Sequence, residues 1–424
     1  MAKRFEVRTQ NQILDTETFR GFAAQISPIC STSDRLALRT PDPLLFCAVL
    51  LFALERDLNL VLFREAFSED FLQDRVKNLN IHLVVTGTLK NPGFVRTKQA
   101  PAPPETKGVG IFTSGTTGPA KLAWHSWSNV QDSSFRVPDR LKGKRWLLTY
   151  DLAAYAGLQV IFGALNNEGV LIHLGSRVTD HPRGIVGERI QVISATPTYW
   201  RLLINSWPAA LQPAELLQAT LGGEVIHQDI LTSVQKFFRP QKLTHIYAST
   251  EAGTAIVVSD GLEGFPVRWL EESRDTAIRV RDGQLEIRSA RGMQGYASEG
   301  EQAVAKARDA WYTTPDRIEV RGERVYFMGR SDRTVNVAGA KINPEEIEQF
   351  LNAMPGVADS YVYGRPNPIT GMVLCADVMP EKETRLTPDD LKANLRNGLS
   401  RIQIPRIINI VDEIQFSTNG KKYR

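Results

Sequence analysis

Apolar positions along this chain fall into short strand-length runs separated by charged, helix-length stretches. Leu58-Asn-Leu-Val-Leu-Phe63 and Ile81-His-Leu-Val-Val85 predict buried strands around a helix near Glu69 to Asn78. The longest apolar run, Leu44 to Leu54, lies between Asp42 and Glu55. A membrane span needs roughly 20 such residues, so this run predicts a buried helix. Pro101-Ala-Pro-Pro104 is a stiff break. From Val109 to about Val258 strand and helix patterns alternate, which predicts α/β layers. Val170-Leu-Ile-His173 and Gln191-Val-Ile-Ser194 are the clearest strands there, and Pro197 to Leu203 begins a helix.

The C-terminal stretch has another rhythm. Asn343-Pro344-Glu345-Glu346 combines a cap, a proline at the first helical position and a capping-box glutamate. Ile347, Phe350, Leu351 and Met354 mark one apolar face of that helix, and Pro355-Gly356 ends it. Tyr361–Tyr363 and Met372–Val378 predict strands, Thr387 caps a helix carrying Leu391, Leu395 and Leu399, and Ile407 to Ile414 predicts a last strand. The pattern is a small α+β unit appended to a large α/β one, with no internal repeat.

Composition narrows the function classes. The chain has 424 residues, 42% hydrophobic and 23% charged, which is globular and long enough for two or three domains. A net charge of +4 without a basic, aromatic-interleaved run gives no sign of nucleic acid. Cys30, Cys47 and Cys375 are far apart and odd in number, so no disulfide framework or metal spacing follows and a reducing compartment is expected. The polar start Met1-Ala-Lys-Arg-Phe-Glu6 lacks the apolar core of a signal peptide, so a cytoplasmic location is expected. His82, His125, His173, His181, His227 and His245 show no metal spacing, and structural or surface roles are expected for each. Trp124 and Trp127 are expected in the core.

Candidate chemistry begins at Val109-Gly-Ile-Phe-Thr-Ser-Gly-Thr-Thr-Gly-Pro-Ala-Lys121. A short strand runs into a turn of glycines and hydroxyls, followed by a lysine. Small residues let backbone N–H groups converge on an anion, and the lysine supplies charge. The P-loop spacing does not fit, since Lys121 lies three residues after Gly118. The bland alternative is a flexible linker.

The segment Thr113, Ser114, Gly115, Thr116, Thr117, Gly118 with Lys121 resembles the phosphate loop of the adenylate-forming superfamily: acyl-CoA synthetases, nonribosomal-peptide adenylation domains and luciferase. Further resemblances follow in the family's order. Gly222, Gly223 and Glu224 resemble the loop along adenine and the acyl pocket. Tyr247, Ala248, Ser249, Thr250 and Glu251 resemble the Tyr-x-x-Thr-Glu segment, which implies Tyr247 at adenine, Thr250 at the α-phosphate and Glu251 on Mg²⁺. Tyr312-Thr-Thr-Pro-Asp316 resembles Tyr-x-Thr-Gly-Asp, implying Asp316 on the ribose hydroxyls. Pro315 replaces the family glycine, so a different local turn is expected. Gly329-Arg330-Ser331-Asp332 resembles the hinge motif, with Arg330 at the ribose and Asp332 as the pivot. Gly339 belongs to the segment presented to the thiol acceptor, and Asn419-Gly-Lys421-Lys-Tyr-Arg424 implies Lys421 as catalytic lysine.

The resemblance, over about 109 to 424, implies a large α/β N-terminal domain of layered sheets and helices (1–331), abbreviated at its start. A smaller mobile α+β C-terminal domain (332–424) carries the lysine. It implies ATP and Mg²⁺, a carboxylic acid substrate, and CoA or the phosphopantetheine of a carrier protein as acceptor. Asp151, Tyr155 and Gly157 are expected at the acid pocket, with Thr196-Pro-Thr-Tyr199 near it. A helix-capping role for Asp151 stands beside that expectation. Three functions share these motifs: a CoA ligase for a hydrophobic or aromatic acid, a stand-alone enzyme loading a carrier protein, and a nucleotide-binding interaction protein without turnover. Intact Lys121, Glu251, Asp316 and Lys421 speak against the third.

Overall fold

The protein was analysed as a computed structural model that describes residues 5–99, 107–113, 120–131, 138–270, 276–298, 301–305, 310–337, 340–367 and 371–414, with backbone alone over 298 and 301–305. Two eight-stranded sheets form its larger part. In one, Lys242–Ser249, Gln218–Gly222, Val192–Ala195, Arg145–Leu147, Val170–Ile172 and Glu6–Arg8 run parallel in that spatial order, with antiparallel edges Gly253–Val258 and Ile13–Leu14. In the other, Gly108–Phe112, Asn59–Leu62, Arg35–Leu38 and Leu83–Thr88 are parallel. Leu122–His125 and Gly295–Ser298 extend it antiparallel on the Gly108–Phe112 side.

Helix Pro43–Glu55 occupies the layer these sheets share. Asp42 caps it, accepting from the Leu44 N–H at 2.9 Å, and Pro43 gives up no intrahelical bond at its first position. Every residue from Pro43 to Ala53 is buried, as a helix apolar on all sides requires. Its core also takes Phe19, Phe22 and Ile26 of helix Thr16–Ile26, the helix Tyr155–Asn166, and inward residues of both sheets such as Leu60, Ile111, Leu148 and Leu171. Helices Pro197–Ser206 and Gln228–Phe238 cover the outer face of the first sheet, and Glu69–Asn78 that of the second. A five-stranded antiparallel sheet, Phe265–Pro266, Arg324–Arg330, Tyr312–Arg321, Gln284–Ser289 and Thr276–Arg281, adds its own core around Phe265, Ile287 and Val325.

A smaller lobe has its own core, which includes Val337 and residues after it. Helix Pro344–Asn352 and helix Pro388–Leu395 pack on the strands Val357–Asn367, Gly371–Pro380 and Ile407–Ile410. Asn343 caps the first helix, its Oδ1 accepting from the Glu345 N–H at 3.1 Å, while its Nδ2 donates back to the Met328 carbonyl at 2.6 Å. That second bond ties the small lobe to the last strand of the large one. A small apolar contact of Leu202 with Met379 and Ile414 joins the lobes elsewhere.

Several expectations need correction. Phe350 is 38% exposed and lies over Gly398, outside the small-lobe core that Ile347 and Leu351 enter. The last strand stops at Ile410. Glu346 accepts from Gln403 at 3.4 Å, a partner far along the chain. Among the described residues no helix is long and apolar enough to cross a membrane.

Candidate active site

The motif residues cluster where parallel strands end. Gly108–Phe112 leads into Thr113, Gln218–Gly222 into Gly223 and Glu224, and Lys242–Ser249 into Thr250 and Glu251. In open α/β sheets the crevice beyond the strand C-termini is where ligands bind.

The phosphate-loop candidate is pinned at its ends. The Thr113 N–H donates to the Lys121 carbonyl at 2.8 Å, and half-buried Arg64 donates to the Phe112 carbonyl at 3.2 Å. Ser114, Gly115, Thr116, Thr117 and Gly118 lie outside the described residues, as do Gly339 and Lys421.

Thr250 and Glu251 occupy the tight turn between two antiparallel strands, whose register shifts between Tyr247 and Ala248. Such an irregularity re-aims the side chains beside it. Ser249 Oγ accepts from the Ala252 N–H at 3.0 Å and braces the turn. The Thr250 carbonyl accepts from His125 Nε2 at 2.8 Å. His125 is fully buried, and burial pushes its imidazole down to about 4, with the bond to Thr250 opposing. The ring is therefore neutral, with its proton on Nε2. Glu251 Oε1 accepts from the Tyr296 phenol at 2.9 Å, and the Lys121 ammonium sits 5.4 Å from the centre of the Tyr296 ring.

A second group assembles on the five-stranded sheet. Tyr247 stacks on Phe327, with ring centres 4.8 Å apart and planes 13° apart, and its phenol donates to Asp316 Oδ2 at 2.6 Å. Asp316 pairs across the strands with Arg330. Arg330 grips Asp332 through Nε at 2.9 Å and Nη2 at 2.7 Å. Burial raises the Asp316 carboxyl above its ordinary range, against the opposing pull of Tyr247 and Arg330. Burial pulls the Arg330 guanidinium down, but Asp332 and Asp316 outweigh it and the net shift is upward.

At Pro315 the strand Tyr312–Arg321 carries a register irregularity, between the Thr313 and Arg317 pairings. The Pro315 carbonyl accepts from Ser331 Oγ at 3.0 Å.

The acid-pocket candidates stand behind Thr250. The Tyr155 ring is 5.5 Å from that of His125, and a Cβ on Gly253 would come within 3.0 Å of the Tyr155 hydroxyl. Gly157 packs so closely that a Cβ there would lie 2.1 Å from the Asp151 carbonyl oxygen. Asp151 Oδ1 accepts from the Ala153 N–H at 2.8 Å, shaping the turn before helix Tyr155–Asn166, whose N-cap is Ala154. Tyr150 donates to the Gly222 carbonyl at 3.4 Å, and Gly223 takes a left-handed φ of 87°. Glu224 accepts from the Thr198 N–H at 3.1 Å and Thr196 caps helix Pro197–Ser206, while Tyr199 faces the outer core and bonds His181 at 2.8 Å.

Tyr296, His125 and Phe327 carry this geometry without a motif to announce them. Only strand register places Tyr296 opposite Ala123, two residues past Lys121.

A family model described as AMP-binding enzyme matches residues 50–297, and one described as AMP-binding enzyme C-terminal domain matches 346–421. The mitochondrial acyl-coenzyme A synthetase ACSM4 of Rattus norvegicus is 24% identical over 353 residues, 73% of this chain and 58% of its own length. The 3-hydroxybenzoate–CoA ligase of Aromatoleum sp. is 27% identical over 351 residues, 76% of this chain and 66% of its own. This chain thus spans under two thirds of these relatives. The ATP-bound structure of MatB from Rhodopseudomonas palustris superposes with a TM-score of 0.77 at 18% identity, covering 99% of this chain and 94% of that one, which shows the same fold. Motif order, a large α/β lobe with a small α+β lobe, and a family match over more than half of the sequence agree: the chain belongs to the AMP-binding, adenylate-forming enzymes.

Proposed function

We propose that this protein activates a carboxylic acid with ATP and transfers the acyl group to the thiol of CoA. The observation that carries the proposal is a pair of facing groups. Lys121, Thr250 and Glu251 stand at the strand ends, and Tyr247, on the strand that leads into Thr250, reaches Asp316 and with it Arg330 on the adjoining five-stranded sheet. The first set suits phosphates and the second suits a nucleoside.

In the first step a carboxylate oxygen of the acid attacks the α-phosphorus and pyrophosphate leaves. Charge gathers on phosphoryl oxygens in that transition state, so fixed cations and donors carry the catalysis. Lys121 and donors among residues 113–118 would hold the phosphates, Thr250 the α-phosphate, and Lys421 would bridge carboxylate and phosphate oxygens. Asp316 would accept from the ribose hydroxyls alongside Tyr247. In the second step a thiol loses its proton, its sulfur attacks the acyl carbon, and AMP departs with the bridging oxygen.

Glu251 fits Mg²⁺. Phosphate-bound Mg²⁺ asks for one or two protein carboxylates, and the described residues hold no larger cluster of ligand-type side chains. When bound, the ion offsets triphosphate charge and eases loss of pyrophosphate. The bond from Tyr296 engages one carboxylate oxygen of Glu251.

The hydrophobic or aromatic acid and the CoA acceptor are supported by the names of the relatives, synthetases and ligases of CoA. We place the lobe boundary between Ser331 and Asp332, where Arg330 grips Asp332 and beyond which the small core begins at Val337. A cytoplasmic setting is supported by cysteines that stand apart, all three free thiols.

The test is carboxylate-dependent ATP–pyrophosphate exchange across aliphatic and aromatic acids, followed by thioester formation with CoA and with carrier proteins. Lys421→Ala should lower exchange by about 10²–10³-fold or more. No exchange with any acid would overturn the proposal, and transfer to carrier proteins alone would replace CoA as acceptor.

A further inference from the structure

We propose that Tyr296 is a positioning residue that fixes the carboxylate of Glu251 and the ammonium of Lys121 for one bound Mg-nucleotide. The inference rests on the function proposed above and deepens it. Tyr296 lies on the strand Gly295–Ser298, which pairs with Leu122–His125 on one side and with Glu301–Ala305 on the other. The first pairing sets Ala297 opposite Leu122, the residue after Lys121. The ring is thereby carried to the lysine, whose ammonium stands 5.4 Å from its centre. A cation at that distance is drawn to the π face.

The phenol reaches the other way, donating to Glu251 Oε1 at 2.9 Å. One oxygen of the carboxylate is thus engaged and its orientation set before a ligand arrives. Tyr296 also lies beside Tyr312. Tyr312 opens the strand that carries Asp316. A chain of contacts from Lys121 through Tyr296 and Tyr312 therefore reaches the strand of the ribose-type group. Groups that orient a metal ligand without touching the metal set its affinity, and their loss commonly costs ten- to a hundredfold, about one to two decades.

Phenylalanine and leucine separate the two contacts. Tyr296→Phe keeps the ring beside Lys121 and removes the bond to Glu251; Tyr296→Leu removes both. ATP binding is measured by calorimetry against free Mg²⁺ for the parent protein, both variants and Glu251→Gln, with circular-dichroism melting to confirm folding. Tyr296→Phe should bind ATP normally without Mg²⁺ but need about tenfold more Mg²⁺ for the metal-dependent gain. Tyr296→Leu should in addition lose about threefold in Mg²⁺-free ATP affinity. A Tyr296→Phe protein with the parental Mg²⁺ requirement, beside a Glu251→Gln protein that has lost it, overturns this inference alone. Mg²⁺-independent binding in the parent, unchanged by Glu251→Gln, overturns the metal role of Glu251 and the inference with it.

Discussion

The phenol of Tyr247 donates to the carboxylate of Asp316 at 2.6 Å, joining the end of a parallel strand to the neighbouring antiparallel sheet. Phe327 backs the tyrosine ring, so the donor is held from behind while it holds the acid.

That bond predicts a pH dependence for nucleotide binding. Burial raises the Asp316 carboxyl, and the Tyr247 bond works against the rise. Ribose hydroxyls need the ionised form as acceptor, so ATP affinity should fall as pH drops through the raised value, beginning above the usual carboxylate range. Tyr247→Phe removes a group that favours ionisation and should move the onset to higher pH. Asp316→Asn should weaken binding and flatten the profile. Calorimetric titration of ATP from neutral pH downward decides it, and identical profiles for parent and Asp316→Asn would exclude Asp316 as the titrating group.

His125 gives a stability prediction of defined sign. Its folded value of about 4 lies below the unfolded 6.5, so the unfolded chain binds the proton more readily. Stability from this group is complete above the unfolded value and is lost as pH falls from 6.5 toward 4. At pH 5 the loss is about 2 kcal/mol relative to neutral pH. His125→Phe, which keeps a ring beside Tyr155, should lower stability at pH 7 through the lost bond to Thr250 yet decline less on acidification. Urea unfolding of both proteins at the two pH values measures the difference of slopes.

Two glycines should respond oppositely to alanine. A Cβ at Gly157 would meet the Asp151 carbonyl at 2.1 Å, inside any contact distance, so Gly157→Ala must displace the turn from its helix. A loss of about 1–3 kcal/mol is expected. Gly187, in helix His181–Gly187, has nothing within 4 Å of a Cβ. There alanine should be neutral or add about 0.5–1 kcal/mol. Thermal melting of the pair is a direct comparison.

Asn343 does two jobs that substitution can divide. Aspartate keeps an acceptor for the Glu345 N–H but cannot donate to the Met328 carbonyl, whereas alanine loses both. Asn343→Asp should therefore leave the helix intact while loosening the join between lobes, and trypsin should cut faster at Arg330 or Arg333. Asn343→Ala should also lose about 1 kcal/mol of stability. Parental cleavage rates in Asn343→Asp would show that the Met328 bond does not restrain the join.

Much of the architecture was legible because its signals are local. Asn343 and Thr387 each cap the helix that follows, and the apolar run Leu44 to Leu54 lies in the buried one. Motifs located Tyr247, Glu251, Asp316 and Arg330, since each sits in a short run of fixed spacing. Tyr296 escaped because its meeting with Lys121 and Glu251 depends on the pairing of strands distant in sequence. His125 has the structural role expected of it, but its partner was not legible, being a backbone carbonyl that any residue could supply. Phe350 deceived because a helical face predicted from spacing does not say how wide a stripe the neighbours will cover.

Helix Pro43–Glu55 bears on motion. Because both large sheets close on one apolar rod with no solvent-facing stripe, neither can slide without opening a cavity among Leu50, Phe52 and Leu60. Thr113 at the end of one sheet and Thr250 at the end of the other are thus fixed on a single rigid body. A rearrangement between the half-reactions proposed above would then fall to the chain beyond the proposed boundary at Ser331, whose core is smaller.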